Sequence, residues 1–183
     1  IESYVIDAES PTFIIAEIGN NHNGSLKLAK QLVDEAVQTG ADCAKFQMRS
    51  MQNLYRNRGK VDDPSADLGT QYTLDLLNRF QLQKDEFLEI FDYCKDKGII
   101  PLCTPSDKVS LKTLERYGLP AYKIASADFT NHDLLRALIH TGKPLLCSTG
   151  MSSETEVQQT ISFPQEHHAQ FVLLHCNSTY PTP

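Results

Sequence analysis

The sequence predicts a parallel α/β fold of the (β/α)8 TIM barrel kind, and three observations predict it. Apolar, strand-forming runs alternate with amphipathic helical stretches about six times along the chain. Polar or charged residues follow every strand rather than collecting at one switch point, as they do where all strand ends feed one site. No Gly-x-Gly-x-x-Gly follows any strand, which weakens a dinucleotide-binding doubly wound sheet. Six units fall short of eight, and an open sheet of six strands exposes two apolar edges. Residues 1–183 are therefore expected to be a partial barrel domain of a longer protein, with the later strands beyond residue 183.

The elements follow in order. Residues 1–12 are expected to supply a short initial strand, which Pro11 ends. Phe13–Gly24 (FIIAEIGNNHNG) opens as a buried strand through Ile14, Ile15 and Ile18 and turns abruptly polar. Glu17 stands at that strand's end, where burial of a carboxylate is costly without a partner. The Gly19–Gly24 run is rich in turn formers, and Ser25 caps a helix with the stripe Ala29, Leu32, Val33, Ala36, Val37. Asp42–Gln47 is the second strand and places Lys45 and Gln47 on one face. Residues 48–82 break the rhythm, and two readings stay open for them, a substrate loop or a surface excursion. Phe87, Ile90, Phe91 and Cys94 mark a helix, then come strand Ile99–Cys103, a short helix through Leu111 and Leu114, and strand Ala121–Ala125. Asn131 caps a helix, Pro144–Ser148 is the next strand, and Ser153 with Glu156 has capping-box spacing. Phe171–Cys176 is the last strand.

Composition excludes several classes. The chain has 183 residues, is 40% hydrophobic and carries a formal charge of −6, which argues against a nucleic-acid surface with its basic stripe. No apolar run reaches the length of a membrane span. Five cysteines form no CxxC pair. They read as free, mostly buried thiols of a reducing cytoplasm.

The strand ends offer Glu17; Lys45 and Gln47; Thr104 and Ser106; Lys123, Ser126 and Asp128; Ser148 and Thr149; His175, Ser178 and Tyr180. Two lysines among several hydroxyls suit a phosphate and a carboxylate. Each residue also has a plain structural reading. Thr104, Ser126 and Ser148 can cap the helices after them, Glu17 and Asp128 can brace loops, and His175 reads as a core histidine. His167 and His168 read as surface. Arg49, Arg56 and Arg58 read as sugar-phosphate contacts or as solvated surface.

Six segments in register carry a resemblance: FIIAEIGNNHNG, GADCAKFQ, GIIPLCTPSD, YKIASADFTN, GKPLLCSTGM and LLHCNSTYPTP. Together they resemble the N-acetylneuraminate (sialic acid) synthase family. The resemblance implies a phosphoenolpyruvate-condensing (β/α)8 barrel, followed by a small antifreeze-like domain that this chain lacks, in a homodimer. It implies addition of phosphoenolpyruvate to an open-chain N-acylated hexosamine with release of phosphate. Lys45, Thr104, Lys123, Ser126, Ser148 and Ser178 would hold phosphoenolpyruvate, and Gln47 and Tyr180 the sugar. Glu17 and Asp128 would be the catalytic carboxylates, although Asp128 stands where the family carries glutamate. The implied divalent cation, Mn2+ or Mg2+, takes its ligands C-terminal to this chain, so neither His22 nor His175 is assigned to it. Two rivals remain: a Schiff-base aldolase or lyase using Lys123, and a non-catalytic sugar-phosphate binding module. Synthases for legionaminic or pseudaminic acid, or for a 9-phosphate product, would share these motifs.

Overall fold

A computed structural model describes residues 1–54 and 68–179. The chain divides into two compact units, Phe13–Pro101 and Ile1–Thr12 with Leu102–Pro183.

The first unit contains β1 (Ile15–Gly19), α1 (Leu26–Gln38), β2 (Cys43–Met48), α2 (Met51–Leu54), α3 (Leu68–Arg79), α4 (Lys84–Asp96) and the opening residues of β3 (Ile100–Pro105). β1 and β2 are parallel, with Ile15 opposite Cys43, Ala16 opposite Ala44 and Glu17 opposite Lys45. Asp42 starts this ladder: its Oδ2 accepts the Ile14 N–H at 2.7 Å, and its own N–H donates to the Ile14 carbonyl at 2.9 Å. Ser25 caps α1 through the Leu28 N–H, as its residue type predicts. Ala29, Val33 and Ala36 bury the apolar face of α1, while Phe87, Ile90, Phe91 and Cys94 bury that of α4. Phe91 meets Phe46 of β2 edge-on at 6.0 Å.

The second unit contains the rest of β3, α5 (Lys108–Tyr117), β4 (Tyr122–Ile124), α6 (His132–Ile139), β5 (Leu145–Ser148), α7 (Glu154–Glu166) and β6 (Phe171–Leu174). Its strands are parallel and lie in chain order. Cys103 pairs with Tyr122, Tyr122 with Leu145, and Leu145 with Phe171. Gly118, at φ +86, ends α5 in the left-handed region that a glycine enters without strain. The Ser153–Glu156 capping box opens α7 as expected.

Four expectations change. Residues 1–12 form no strand: Asp7 Oδ1 accepts the N–H groups of Glu9 and Ser10, which turns the chain instead. Ile14 is 52% exposed rather than buried, and lies just before β1 begins. Residues 48–82 are not without periodic structure, since α2 and α3 lie within them and Leu74 of α3 is buried. Arg56, Arg58, Asp62 and Asp63 lie outside the described residues. His175 is exposed just beyond β6, not a core histidine, and β6 itself leaves Val172 and Leu173 more than a third exposed.

Cys43, Cys94, Cys103 and Cys147 are buried and Cys176 is half-buried, all as free thiols. Burial pushes the Cys94 and Cys147 thiols up to about 12 and the Cys43 thiol higher still, so none supplies thiolate near neutral pH. A thiol reagent at pH 8 is therefore expected to modify Cys176 first, with Cys43, Cys94 and Cys147 following only on unfolding. Peptide mapping by mass spectrometry after timed labelling checks this, and early labelling of Cys43 would contradict it.

Candidate active site

In the first unit the β1–β2 register brings Glu17 and Lys45 onto one face. Lys45 Nζ lies 2.7 Å from Glu17 Oε2, with the lysine side chain 2% exposed and the glutamate half-exposed. The buried member of the pair is thus the lysine, whereas the sequence pointed to the carboxylate. An ammonium removed from water requires a compensating charge, and Glu17 supplies it. A ladder irregularity between Glu17 and Gly19 then bends the strand end. Gly19 sits at φ +54, and a Cβ there would lie 3.0 Å from Glu17 Oε1 and 3.5 Å from Gln47 Nε2. Gln47, two residues after Lys45, accepts at Oε1 from Arg49 Nη2 at 2.7 Å.

His22 is fully buried in the loop after β1. Its Nδ1 accepts the Gly24 N–H at 3.1 Å, and its ring lies 6.5 Å from Phe46. Burial, outweighing the Gly19 backbone and the Glu86 charge, holds its pKa below the ordinary 6.5. With Nδ1 accepting, Nε2 carries the proton, and it meets no hydrogen-bond partner among the described residues. Gly24 completes the loop at φ +75, and a Cβ there would come within 2.7 Å of the Arg79 carbonyl.

In the second unit, register and alternation sort the strand residues into two faces. Tyr122, Ile124, Leu145 and Cys147, each 1% exposed, fill one. Thr104, Lys123, Leu146 and Ser148 share the other, since Cys103 pairs with Tyr122 and Lys123 with Leu146. Thr104 and Ser148 are buried and Lys123 is half-buried.

The capping reading of the hydroxyls is overturned. Asp107 caps α5, Asn131 caps α6 and Ser153 caps α7, so Thr104, Ser126 and Ser148 are not spent on helix ends. Ser126 instead accepts the Gly150 N–H at 3.2 Å. A Cβ on Gly150 would fall 2.6 Å from Ser178 Oγ and 2.8 Å from the Cys176 carbonyl, so Ser126 and Ser178 approach the same glycine. Thr149 donates to the Leu174 carbonyl at 3.0 Å and ties this loop to the end of β6. Asp128 closes the short 3-10 turn Ser126–Asp128. Burial raises its carboxyl above the ordinary value, with the Asp107 charge adding to the effect and the Asn131 amide opposing it. Tyr180 lies outside the described residues.

Sequence reasoning missed Gly19 and Gly150 as positions of close approach. The two glycines stood inside the quoted segments, but their close approaches involve distant or folded-back chain. Arg49 is half-buried against Gln47 rather than fully solvated.

Residues 32–183 match the NeuB family. An uncharacterized protein of Methanocaldococcus jannaschii is 37% identical over 174 residues, covering 94% of this chain and 48% of its own. The human N-acetylneuraminate-9-phosphate synthase is 30% identical over 179 residues, covering 96% of this chain and 49% of its own. Among solved structures, an N-acetylneuraminic acid (sialic acid) synthetase from Leptospira borgpetersenii, in complex with citrate, superposes with a TM-score of 0.84 at 32% identity. That match covers 95% of this chain and 57% of the other. The chain spans about half the length of the curated relatives it matches.

Two outcomes follow from this geometry. Gly150→Ala overpacks against Ser178 and Cys176 and is expected to cost roughly 1–3 kcal/mol. Urea unfolding measures it, and an unchanged midpoint would contradict the close approach. For Asp128 the folded state binds the proton more tightly than the unfolded state, so its contribution to stability falls as pH rises through the folded pKa. Asp128→Asn is therefore expected to raise the thermal midpoint at neutral pH, with the gain vanishing as pH drops below 3.8. A lowered midpoint at neutral pH would oppose this assignment.

Proposed function

The chain belongs to the NeuB family, and on that premise we propose that its protein condenses phosphoenolpyruvate with an N-acylated hexosamine. N-acetylmannosamine or a related sugar is the acceptor, and the products are phosphate and a nine-carbon 2-keto acid of the sialic acid type. The activity is proposed for a protein of the relatives' length, of which this chain is about half. A complete (β/α)8 barrel, a homodimer and a cytoplasmic setting belong to the same proposal. Among the described residues no helix is long and apolar enough to cross a membrane.

The observation that carries the reading is Lys45, an almost fully buried ammonium whose carboxylate partner is itself half-exposed. Such a cation, held within β2 beside a half-exposed carboxylate, suits an anionic substrate that shares or replaces its partner. Phosphoenolpyruvate is assigned to Lys45, Thr104, Lys123, Ser126, Ser148 and Ser178, and the sugar to Gln47 and Tyr180. In the second unit the shared face of Thr104, Lys123 and Ser148 supports this, as does the meeting of Ser126 and Ser178 at Gly150.

In the proposed reaction C3 of phosphoenolpyruvate bonds to the aldehyde carbon, and the aldehyde oxygen takes a proton and becomes a hydroxyl. Water adds at C2, the bond from C2 to the phosphate oxygen breaks, and phosphate leaves. Asp128, whose burial favours the protonated carboxyl, suits proton delivery to the aldehyde oxygen. Glu17, with one oxygen held by Lys45, suits accepting a proton at the other. Among the described residues no group of three or more His, Cys, Asp or Glu is placed to hold a metal ion. These residues therefore do not fit the divalent cation that the resemblance implies, Mn2+ or Mg2+. Its ligands are proposed C-terminal to this chain, and no step here runs through it.

The test is phosphate release by the full-length protein given phosphoenolpyruvate and Mn2+ with N-acetylmannosamine, its 6-phosphate or a diacetamido-trideoxyhexose, with and without chelator. Sugar-dependent, chelator-sensitive release is expected. Lys45→Ala or Lys123→Ala should lower kcat/KM by roughly 10²–10³, the loss of one preorganised electrostatic contact. A change below threefold at both would remove them from the site. No release with any sugar would overturn the reading, and borohydride trapping on Lys123 would then separate a Schiff-base lyase from a binding module.

A further inference from the structure

The end of β2 carries a relay of side chains in which Gln81 and Arg49 have no part in the reaction as proposed. Gln81, in the connection between α3 and α4, donates its amide N–H to the Arg49 carbonyl at 2.7 Å. The Arg49 guanidinium in turn donates to Gln47 Oε1 at 2.7 Å. A guanidinium has donors and no acceptor, so it meets the oxygen of an amide and turns the NH2 away. The Gln47 NH2 accordingly borders the space over Gly19, 3.5 Å from where a Cβ would sit. Glu17 Oε1 borders the same space at 3.0 Å, while Glu17 Oε2 is held by Lys45. A Cβ at Gly19 would crowd Glu17 Oε1, so the missing side chain leaves an acceptor and a donor bordering the same spot.

We propose that Arg49 is a specificity-determining positioning residue: it turns the Gln47 amide so that its NH2 and the Glu17 carboxylate together take a hydroxyl group of the acceptor sugar. The inference rests on the condensation proposed above. A hydroxyl is the group that matches both, since its O–H donates to Glu17 and its oxygen accepts from Gln47. With the amide turned over, two oxygens would border that spot and a cation would fit better than a hydroxyl. Arg49 meets the oxygen of the Gln47 amide, on the side away from Gly19, and acts through it. Gln81 holds the Arg49 backbone, which links the α3–α4 connection to the orientation of the amide.

Steady-state kinetics of the full-length protein test this, with the sugar and phosphoenolpyruvate varied separately. Arg49→Met is expected to raise KM for the sugar about tenfold, the loss of one hydrogen bond's worth of orientation. KM for phosphoenolpyruvate should stay within about threefold. Arg49→Lys, which keeps a donor-only head, should recover part of the loss. Turnover with equal changes in both KM values, or with none, would overturn the inference and leave the condensation standing. If no sugar supports turnover, the condensation falls and the inference is read by NMR. The Gln47 side-chain amide signals, assigned through Gln47→Glu, should then shift on adding N-acetylmannosamine in the wild type and not in Arg49→Met. Unmoved signals in the wild type would overturn it.

Discussion

The grip of Asp42 on Ile14 sets what the first unit can do. Its carboxylate takes the Ile14 N–H while its own backbone N–H returns a bond to the Ile14 carbonyl. A parallel ladder leaves one freedom, its register, and this double contact removes it at the first rung. Three rungs on, Glu17 stands opposite Lys45. A slip of one residue would turn every side chain of β2 to the other face. Lys45 would then be a buried ammonium without its carboxylate, and Phe46 would lose Phe91.

The second unit repeats the logic with four strands. Alternation gives Tyr122, Ile124, Leu145 and Cys147 to an apolar face and Thr104, Lys123 and Ser148 to the opposite one. Capping has been delegated to Asp107, Asn131 and Ser153, each past its strand end. That separation of labour matters because a hydroxyl bonded to a helix N-terminus cannot also serve a ligand. Helix starts lie in the loops after the strands, and Thr104, Lys123 and Ser148 lie on the strands themselves.

Two glycines do comparable work. At Gly19 the positive φ and the ladder irregularity leave room beside a carboxylate oxygen and an amide nitrogen. At Gly150 the lack of a side chain lets Ser178 and the Cys176 carbonyl approach to distances no Cβ tolerates. In both cases the chemistry is carried by neighbours, and the glycine provides the space. Arg49 stands beside the first of them, its guanidinium donating to the Gln47 oxygen.

Much of this was legible in the residues themselves. The βα alternation, the Ser25, Asn131 and Ser153 caps, and the strand positions of Glu17, Lys45, Thr104, Lys123 and Ser148 follow from periodicity and turn chemistry, which are local. The six quoted segments also carried the family. What depended on tertiary structure was contact between residues far apart in the chain or folded back on one another. Lys45 rather than Glu17 is the buried partner, Ile14 is exposed just before β1, and the hydroxyls escape capping. Glu17 and Gln47 converge on Gly19, Arg49 holds the far end of the Gln47 amide, and Ser126 and Ser178 converge on Gly150. Sequence periodicity assigns a side chain to a face, because the backbone repeat is short-range. It does not say which neighbour arrives there, because that is decided by ladder register and by where the loops return.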